Sequence, residues 1–342
     1  MKIQRYDKSY KTLWDDFIKT SKNGVFLFYR DYMEYHADRY KDFSLLFFDG
    51  RGKLKAVLPA NIVVPAAGAA LASAPAGAVV RANAPAPAVA AAVVSHGGLT
   101  FGGVVSGEKM KMSTMLEIFE ALGSFLRENG IRRLIYKAVP HIYHRMPAEE
   151  DLYALFLAGA RLVRRDVASA IPRESRLAFN RDRERGIKLA KEAGLEIGRD
   201  IDFAGFMTLA QDALGEKYHL LPAHTPEEMT MLAGRFPDHI KLFAARKEGV
   251  LTGGVIVYES AQVAHAQYKF ADAAGKKCGA ADLVLDYLIH DYYREKPYFD
   301  FGISTERDGR YLNAGLIENK ERYGARSIVY DFYEWDVWEG KK

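Results

Sequence analysis

Two stretches near the end of the chain collect residue types suited to polar chemistry: Tyr298-Phe-Asp-Phe-Gly-Ile-Ser-Thr-Glu306 and Gly315-Leu-Ile-Glu-Asn-Lys-Glu-Arg-Tyr-Gly-Ala-Arg326. The first reads as a buried strand ending in Asp300 and Gly302, then a polar loop with Ser304 and Glu306. The second reads as a helix carrying Lys320 that stops at Gly324 before another strand. This layout sets an ammonium, a carboxylate and open backbone groups beside one cleft. An ammonium can neutralise charge developing on an oxygen. A carboxylate at the carboxyl edge of a sheet can accept or orient a proton, with Glu306 a second candidate for that work. Lys320 reads equally as a solvated helix lysine, and Asp300 as a loop-capping carboxylate.

The elements around these residues occur twice. Sliding the chain by 165 residues (324 − 159) lays Gly159-Ala160-Arg161 on Gly324-Ala325-Arg326 and Asp166 on Asp331. The same shift superposes a predicted helix 112–128 on 277–293, a strand 133–138 on 298–303 and a helix 149–157 on 314–322. Each half has a hairpin ahead of these elements, at 43–59 and 241–258, and the second adds a strand over 262–270. The order hairpin, helix, strand, helix, strand predicts an α/β (α+β) chain of two similar domains, 1–171 and 172–342, each a mixed sheet flanked by helices. A helix opens at Thr225-Pro226-Glu227-Glu228, a capping box with proline at the first helical position.

Other polar groups fall on these elements. Lys137, His141 and Tyr143 follow the first-half strand at the repeat position of Phe301 to Ser304, so they are candidates for holding an acceptor. His141 and His144 lack a third ligand at a convincing spacing, so they read as structural and no metal is expected. On the strand over 262–270, His265 and Gln267 alternate onto one face, with Tyr268 beside them. His265 can act as a base at neutral pH or be a hydrogen-bonded core histidine. Ser95-His-Gly-Gly-Leu-Thr-Phe-Gly-Gly103 permits close backbone approach but lacks the lysine and hydroxyl spacing of a nucleotide-binding P-loop. The run Arg173, Arg176, Arg181, Arg183, Arg185, Lys188, Lys191 reads as a phosphate grip or as a solvated face.

With 342 residues the chain suits two folded domains, and its slight formal charge of +4, locally basic at Arg164-Arg165 and from Arg173 to Lys191, favours an anionic partner without naming one. The single Cys278 excludes an intrachain disulfide, and the polar start lacks a signal-peptide apolar core, so a cytoplasmic protein is expected. The segment from about 62 to 94 is almost wholly Ala, Val, Pro and Gly. Its prolines argue against a membrane helix, and it is expected to be a low-complexity insertion forming a flexible surface loop.

Gly315-Leu316-Ile317-Glu318-Asn319-Lys320-Glu321-Arg322-Tyr323-Gly324, with the preceding Asp300-x-Gly302, resembles the signature of the FemAB-like (Fem-type) branch of the GNAT acyltransferases, roughly D-x-G, a loop, then G-L-x-x-F-K-x-x-F-G. Asn319 stands where that pattern has an aromatic. The resemblance implies tandem GNAT domains and transfer of an acyl group to an amine, with Lys320 stabilising negative charge. It also implies that Ala274 to Ala280 corresponds to the turn that holds acyl-CoA pyrophosphate, with Gly275, Lys276, Lys277, Gly279 and Ala280 as its residues. The expected donor is acyl-CoA, and the expected acceptor a small-molecule or lipid-linked amine of a cell-envelope or polysaccharide precursor. Aminoacyl-tRNA is the alternative donor, while DNA and a membrane span are not expected. A non-catalytic protein of this fold that binds a glycan or nucleotide sugar is the reading from a different class.

Overall fold

The computed structural model describes residues 1–63, 92–218 and 221–339. The first half contains strands β1 (Lys2–Arg5), β2 (Leu45–Phe48), β3 (Leu54–Leu58), β4 (Asn61–Val63), β5 (Ala92–Val94), β6 (Val105–Ser106), β7 (Arg133–Lys137) and β8 (Arg161–Pro172), with helices α1 (Lys11–Thr20), α2 (Arg30–Met33), α3 (Met112–Glu128) and α4 (Glu150–Leu157). The second half contains β9 (Glu196–Asp200), β10 (Ile240–Lys247), β11 (Val250–Glu259), β12 (Val263–Ala271), β13 (Tyr298–Ile303), β14 (Thr305–Glu306), β15 (Tyr311–Leu312) and β16 (Arg326–Asp336). Its helices are α5 (Arg181–Glu192), α6 (Phe203–Tyr218), α7 (Pro226–Arg235), α8 (Ala273–Cys278), α9 (Ala280–Tyr287) and α10 (Ala314–Glu321).

Local chemistry explains these boundaries. Helix α3 buries Met115, Ile118, Phe119, Leu122 and Leu126, a spacing of three and four that gives a helix one apolar face. Helix α7 opens on the expected capping box, in which Thr225 accepts from the Glu228 amide and the Glu228 side chain accepts from the Thr225 amide. Such a cap is worth about 1 kcal/mol. Helices α4 and α10 are followed by Gly159 (φ +75°) and Gly324 (φ +83°), left-handed positions that release the chain into β8 and β16.

The repeat is realised element by element. Adding 165 to 133–137 gives 298–302, against β13 at Tyr298–Ile303; adding it to 150–157 gives 315–322, against α10 at Ala314–Glu321. Adding it to 161–172 gives 326–337, against β16 at Arg326–Asp336. The last strands pair crosswise. Strand β16 runs antiparallel to β7 with Phe332 opposite Lys137, and β8 runs antiparallel to β13 with Ala170 opposite Asp300.

Two compact units result, and they are not contiguous in sequence. One comprises Met1–Asp166, Thr305–Tyr311 and Val329–Lys342; the other comprises Val167–Ser304 and Leu312–Ile328. The expected division at 171/172 therefore differs from the grouping by contacts, because each half's last strand completes the other unit. The first unit holds an antiparallel sheet β1-β2-β3-β6 and the ordered strands β4-β5-β7-β16 over a core of α3, β7 and Trp335. The second is built on β8-β13-β12-β11-β10-β9, with Phe299, Phe301, Val284, Leu288 and Tyr323 in its core.

Of the Ala-rich run, the ends Ile62-Val63 and Ala92–Val94 lie in the antiparallel pair β4–β5, and the expected loop over 64–91 lies outside the described residues. Among the described residues no helix is long and apolar enough to cross a membrane.

In the second unit α5 crosses the start of α9 at two glycines. A Cβ added to Gly186 would lie 2.0 Å from Asp282 Oδ2, and one added to Gly279 2.2 Å from the Gly186 carbonyl oxygen. Gly186→Ala is expected to lower unfolding stability by about 1–3 kcal/mol, because the methyl must displace a buried carboxylate. Chemical denaturation of the two proteins measures it, and an unchanged midpoint would refute the close crossing.

Candidate active site

The site forms where two parallel strands separate. Strands β12 and β13 pair over only three residues, Val263–His265 against Tyr298–Asp300. Beyond Asp300, β13 is irregular: its register against β8 shifts between Asp300 and Ile303, and Gly302 sits at φ +69°. Such bulges re-aim side chains and stop pairing.

Asp300 is fully buried. Its Oδ1 accepts the Gly302 amide at 2.8 Å, and its Oδ2 lies 2.8 Å from His265 Nδ1. Gly302 is required by space as well as by backbone angle, since a Cβ there would fall 2.9 Å from the imidazole Cε1.

Helix α10 begins at Asn313, whose side chain accepts the Leu316 amide at 3.0 Å, and delivers Lys320 to the separation of the strands. The lysine is 6% exposed, so the solvated reading is excluded. Its ammonium donates to the carbonyls of Gly302 (2.9 Å) and Ile303 (2.6 Å), neither of which β12 can reach once the strands have parted. Burial pulls Lys320 down to about 8, with Asp300 pulling the other way.

A second lysine, which the alternation along the strand did not reveal, joins it. Strand β12 bulges against β11: Tyr268 faces Ile256 and Ala266 faces Val257, leaving Gln267 as the extra residue. One inserted residue reverses the alternation. Ala264 and Ala266 pack in the core with Tyr323, but beyond the bulge it is Lys269 that reaches that side, 4.9 Å over the Tyr323 ring and 2.7 Å from Asn319 Oδ1. Tyr268 turns to the other side, where its hydroxyl meets His224 Nδ1 at 2.7 Å. The expected pairing of His265 with Gln267 on one face is thus interrupted by the bulge. Burial lowers Lys269 to about 7, aided by the Arg183 and Lys320 cations and opposed by Asp282. Asn319, the departure from the aromatic of the Fem-type pattern, is the acceptor that holds this lysine.

Residues 178–311 match the family model of the acetyltransferase (GNAT) domain. Across nearly the whole length the chain is similar to the crystal structure of FemX, with TM-score 0.64 and 11% identity over 98% of this chain and 97% of that one. The chain has the FemAB-like GNAT fold. It is also similar to the C-terminal domain of a protein from Agrobacterium fabrum named, by inference, a lysylphosphatidylglycerol synthetase (TM-score 0.57, 10% identity, 96% of this chain and 91% of that one). L-PGS from Bacillus licheniformis gives TM-score 0.57 at 11% identity over 98% of this chain and 94% of that one. No curated protein matches the sequence. The likeness to solved structures is one of fold; the matched domain is of an acyltransferase class.

Within this GNAT fold the other expected site residues are distributed unevenly. The turn expected to hold pyrophosphate is largely helix α8, and its glycines serve the chain's own packing: a Cβ on Gly275 would lie 2.2 Å from the Thr252 carbonyl oxygen, and Gly279 (φ +79°) abuts Gly186. Lys276 and Lys277 are exposed beside them, and buried Ala280 starts α9. Ser304 is buried next to Ile303, its hydroxyl without a partner among the described residues. Glu306 is exposed on β14.

In the first unit, Lys137 is buried and its ammonium donates to the carbonyls of His96 (3.1 Å) and Leu99, fastening the glycine-rich loop. Tyr143 is core, its ring centroid 4.6 Å from that of Phe101, while His141 is exposed. His144 bonds the Val139 carbonyl at 3.0 Å, and burial pushes it down to about 4. Among the described residues no group of three or more histidine, cysteine or acidic side chains could hold a metal ion. From the basic run, Arg183 pairs with Asp282 at 3.0 Å and lies over Tyr323.

Because the folded Lys320 titrates near 8 and an unfolded lysine near 10.5, the folded state holds fewer protons between those values. Stability attributable to this residue therefore rises with pH across that window. Wild-type stability measured against Lys320→Met is expected to improve from pH 8 to 10.5, by at most about 3 kcal/mol. Paired denaturation curves test this; a difference that is flat or falls with pH contradicts the buried ammonium.

Proposed function

We propose that this chain transfers an acyl group from acyl-CoA to the amino group of a small-molecule or lipid-linked precursor of the cell envelope or a polysaccharide, at the separation of β12 and β13. The observation that carries the reading is the Lys320 ammonium, buried where the parallel strands part and fixed on two backbone carbonyls beside Asp300. Two of its hydrogens are engaged there. The third has no partner among the described residues and is available to an oxyanion. In the reaction the acceptor nitrogen attacks the acyl carbonyl, the oxyanion is held by Lys320, and the carbon–sulfur bond breaks to release the thiolate. One positioned donor of this kind contributes about 3–4 kcal/mol to the rate. Holding donor and amine together contributes about 7–11 kcal/mol. Similarity to a protein whose name gives the lipid lysylphosphatidylglycerol as its product supports a lipid-linked acceptor. We place the activity in the cytoplasm and read the halves 1–171 and 172–342 as the two GNAT-like domains of one duplication.

One observation favours a second donor. Gly275 and Gly279 are occupied by the chain's own backbone, which leaves the pyrophosphate position less open and supports aminoacyl-tRNA.

Radiolabelled acetyl-CoA and aminoacyl-tRNA, each offered with nucleotide-linked amino sugars and with aminolipid vesicles, separate the readings. Label is expected to pass from acetyl-CoA, and Lys320→Ala to slow it by about 100- to 1000-fold. Transfer from tRNA alone reassigns the donor. Absence of transfer from either, or a Lys320→Ala enzyme near the wild-type rate, overturns the proposal.

A further inference from the structure

The transfer proposed above needs a group to take a proton from the attacking ammonium, and Asp300 cannot meet the substrate directly, since it is fully buried with both carboxylate oxygens engaged. We propose that His265 is the general base of this site, and that Asp300 is the positioning residue that fixes its ring. This deepens the acyl-transfer reading and rests on it.

The backbone sets the pair side by side. His265 and Asp300 are Cα partners in the parallel ladder, so their side chains leave the same face, and Nδ1 meets Oδ2 at 2.8 Å. A carboxylate that accepts from Nδ1–H leaves the lone pair on Nε2. The Gly302 amide holds the other carboxylate oxygen, and the imidazole Cε1 lies over Gly302, where any side chain would collide. The ring is thereby fixed from two sides. The histidine side chain stays 15% exposed, and its hydrogen bonding among the described residues is confined to Nδ1. Its charged and titratable neighbours are Asp300, Tyr258 across the ladder on β11, and Lys320, which interacts with Asp300 and donates to the Gly302 carbonyl.

The duplication supplies an independent argument. In the first half β5 and β7 make the same three-residue parallel pairing, and Ile135, the repeat position of Asp300 (135 + 165 = 300), lies opposite Val94. The same junction is therefore built there from two apolar residues. A buried carboxylate with an imidazole is not needed to pair these strands, and it is costly to bury unless it does something else.

Nε2 takes one proton from R–NH3+, the freed amine attacks the acyl carbonyl, and the tetrahedral intermediate loses a second N–H proton to water and collapses to the amide with breakage of the carbon–sulfur bond. The imidazolium returns its proton to the leaving thiolate.

Two measurements on the full chain test this. Long-range 1H–15N correlation on 15N-histidine protein, assigned with His265→Gln, is expected to show His265 protonated at Nδ1 and bare at Nε2 above neutral pH, and Asp300→Asn is expected to mix the tautomers. An Nε2–H tautomer in the wild type overturns the proposal, whatever the acceptor is. In the transfer assay, His265→Gln is expected to lower kcat about 100- to 10,000-fold with little change in KM. Added imidazole is expected to restore part of the rate to His265→Ala. Folded variants with near-wild-type kcat, or a loss that imidazole leaves untouched, would show the pair to be structural. If neither donor supports transfer by the wild type, the acyl-transfer reading falls, and the tautomer alone judges the pair.

Discussion

A parallel strand pair that parts after three residues leaves backbone carbonyls facing neither a partner strand nor water, and such groups must find donors. Each half of this chain meets that constraint, and each meets it with a buried lysine. In the second half Lys320 comes from helix α10 to the carbonyls of Gly302 and Ile303. In the first, Lys137 comes from β7 itself to the carbonyls of His96 and Leu99. The lysines are not repeat equivalents: Lys137 corresponds to Gly302 (137 + 165 = 302), the acceptor in the other half. Burial depresses both, Lys137 to about 7 and Lys320 to about 8. The duplication therefore conserves a structural need while the side chain that answers it moves.

That distinction explains what was legible in the sequence. Element order, the capping box at Thr225 and the helix stops at Gly159 and Gly324 rest on local chemistry that composition and spacing express directly. Lys320 and Asp300 stood out in the sequence because each precedes a glycine, Gly324 and Gly302, near the end of its element. The bulge at Gln267 was not, since one inserted residue leaves hydrophobic alternation intact on either side while reversing its sense, and so hid Lys269. The stretch from Ala274 to Ala280 was legible only in part, for another reason. Its glycines suggested an open turn, but the demand for them comes from Thr252 and from Gly186 on α5, distant in sequence.

Behind the lysines, a buried polar group keeps α5, α9 and α10 in register. Asp282 on α9 accepts from Arg183 of α5 at 3.0 Å and from the Tyr323 hydroxyl. Arg183 and Lys269 both lie within 5 Å of the centre of the Tyr323 ring, at 4.6 and 4.9 Å. Removing one member would strand the others, so this cluster fixes geometry more than it adds stability. It also gathers Arg183, Lys269 and Lys320 around Asp282 and Asp300, a local excess of cations. Such an environment favours a bound or developing negative charge and disfavours a protonated amine.

These two preferences are those that the proposed amine acylation requires, and the second half adds a polar strand pair to them. Where the second half carries the buried His265–Asp300 pair, the first carries Val94 and Ile135 on the same ladder. The apolar version shows what the junction needs for folding, and the polar version shows what has been added to it. Polarity retained at a position where the fold is indifferent points to chemistry, because burying a carboxylate costs free energy that packing alone would not restore. The glycine-rich loop of the first half is tied down by Lys137, while in the second half the corresponding separation holds two lysines and a fixed imidazole. One scaffold, built twice, thus keeps its structural solution in one copy and has room for proton transfer in the other.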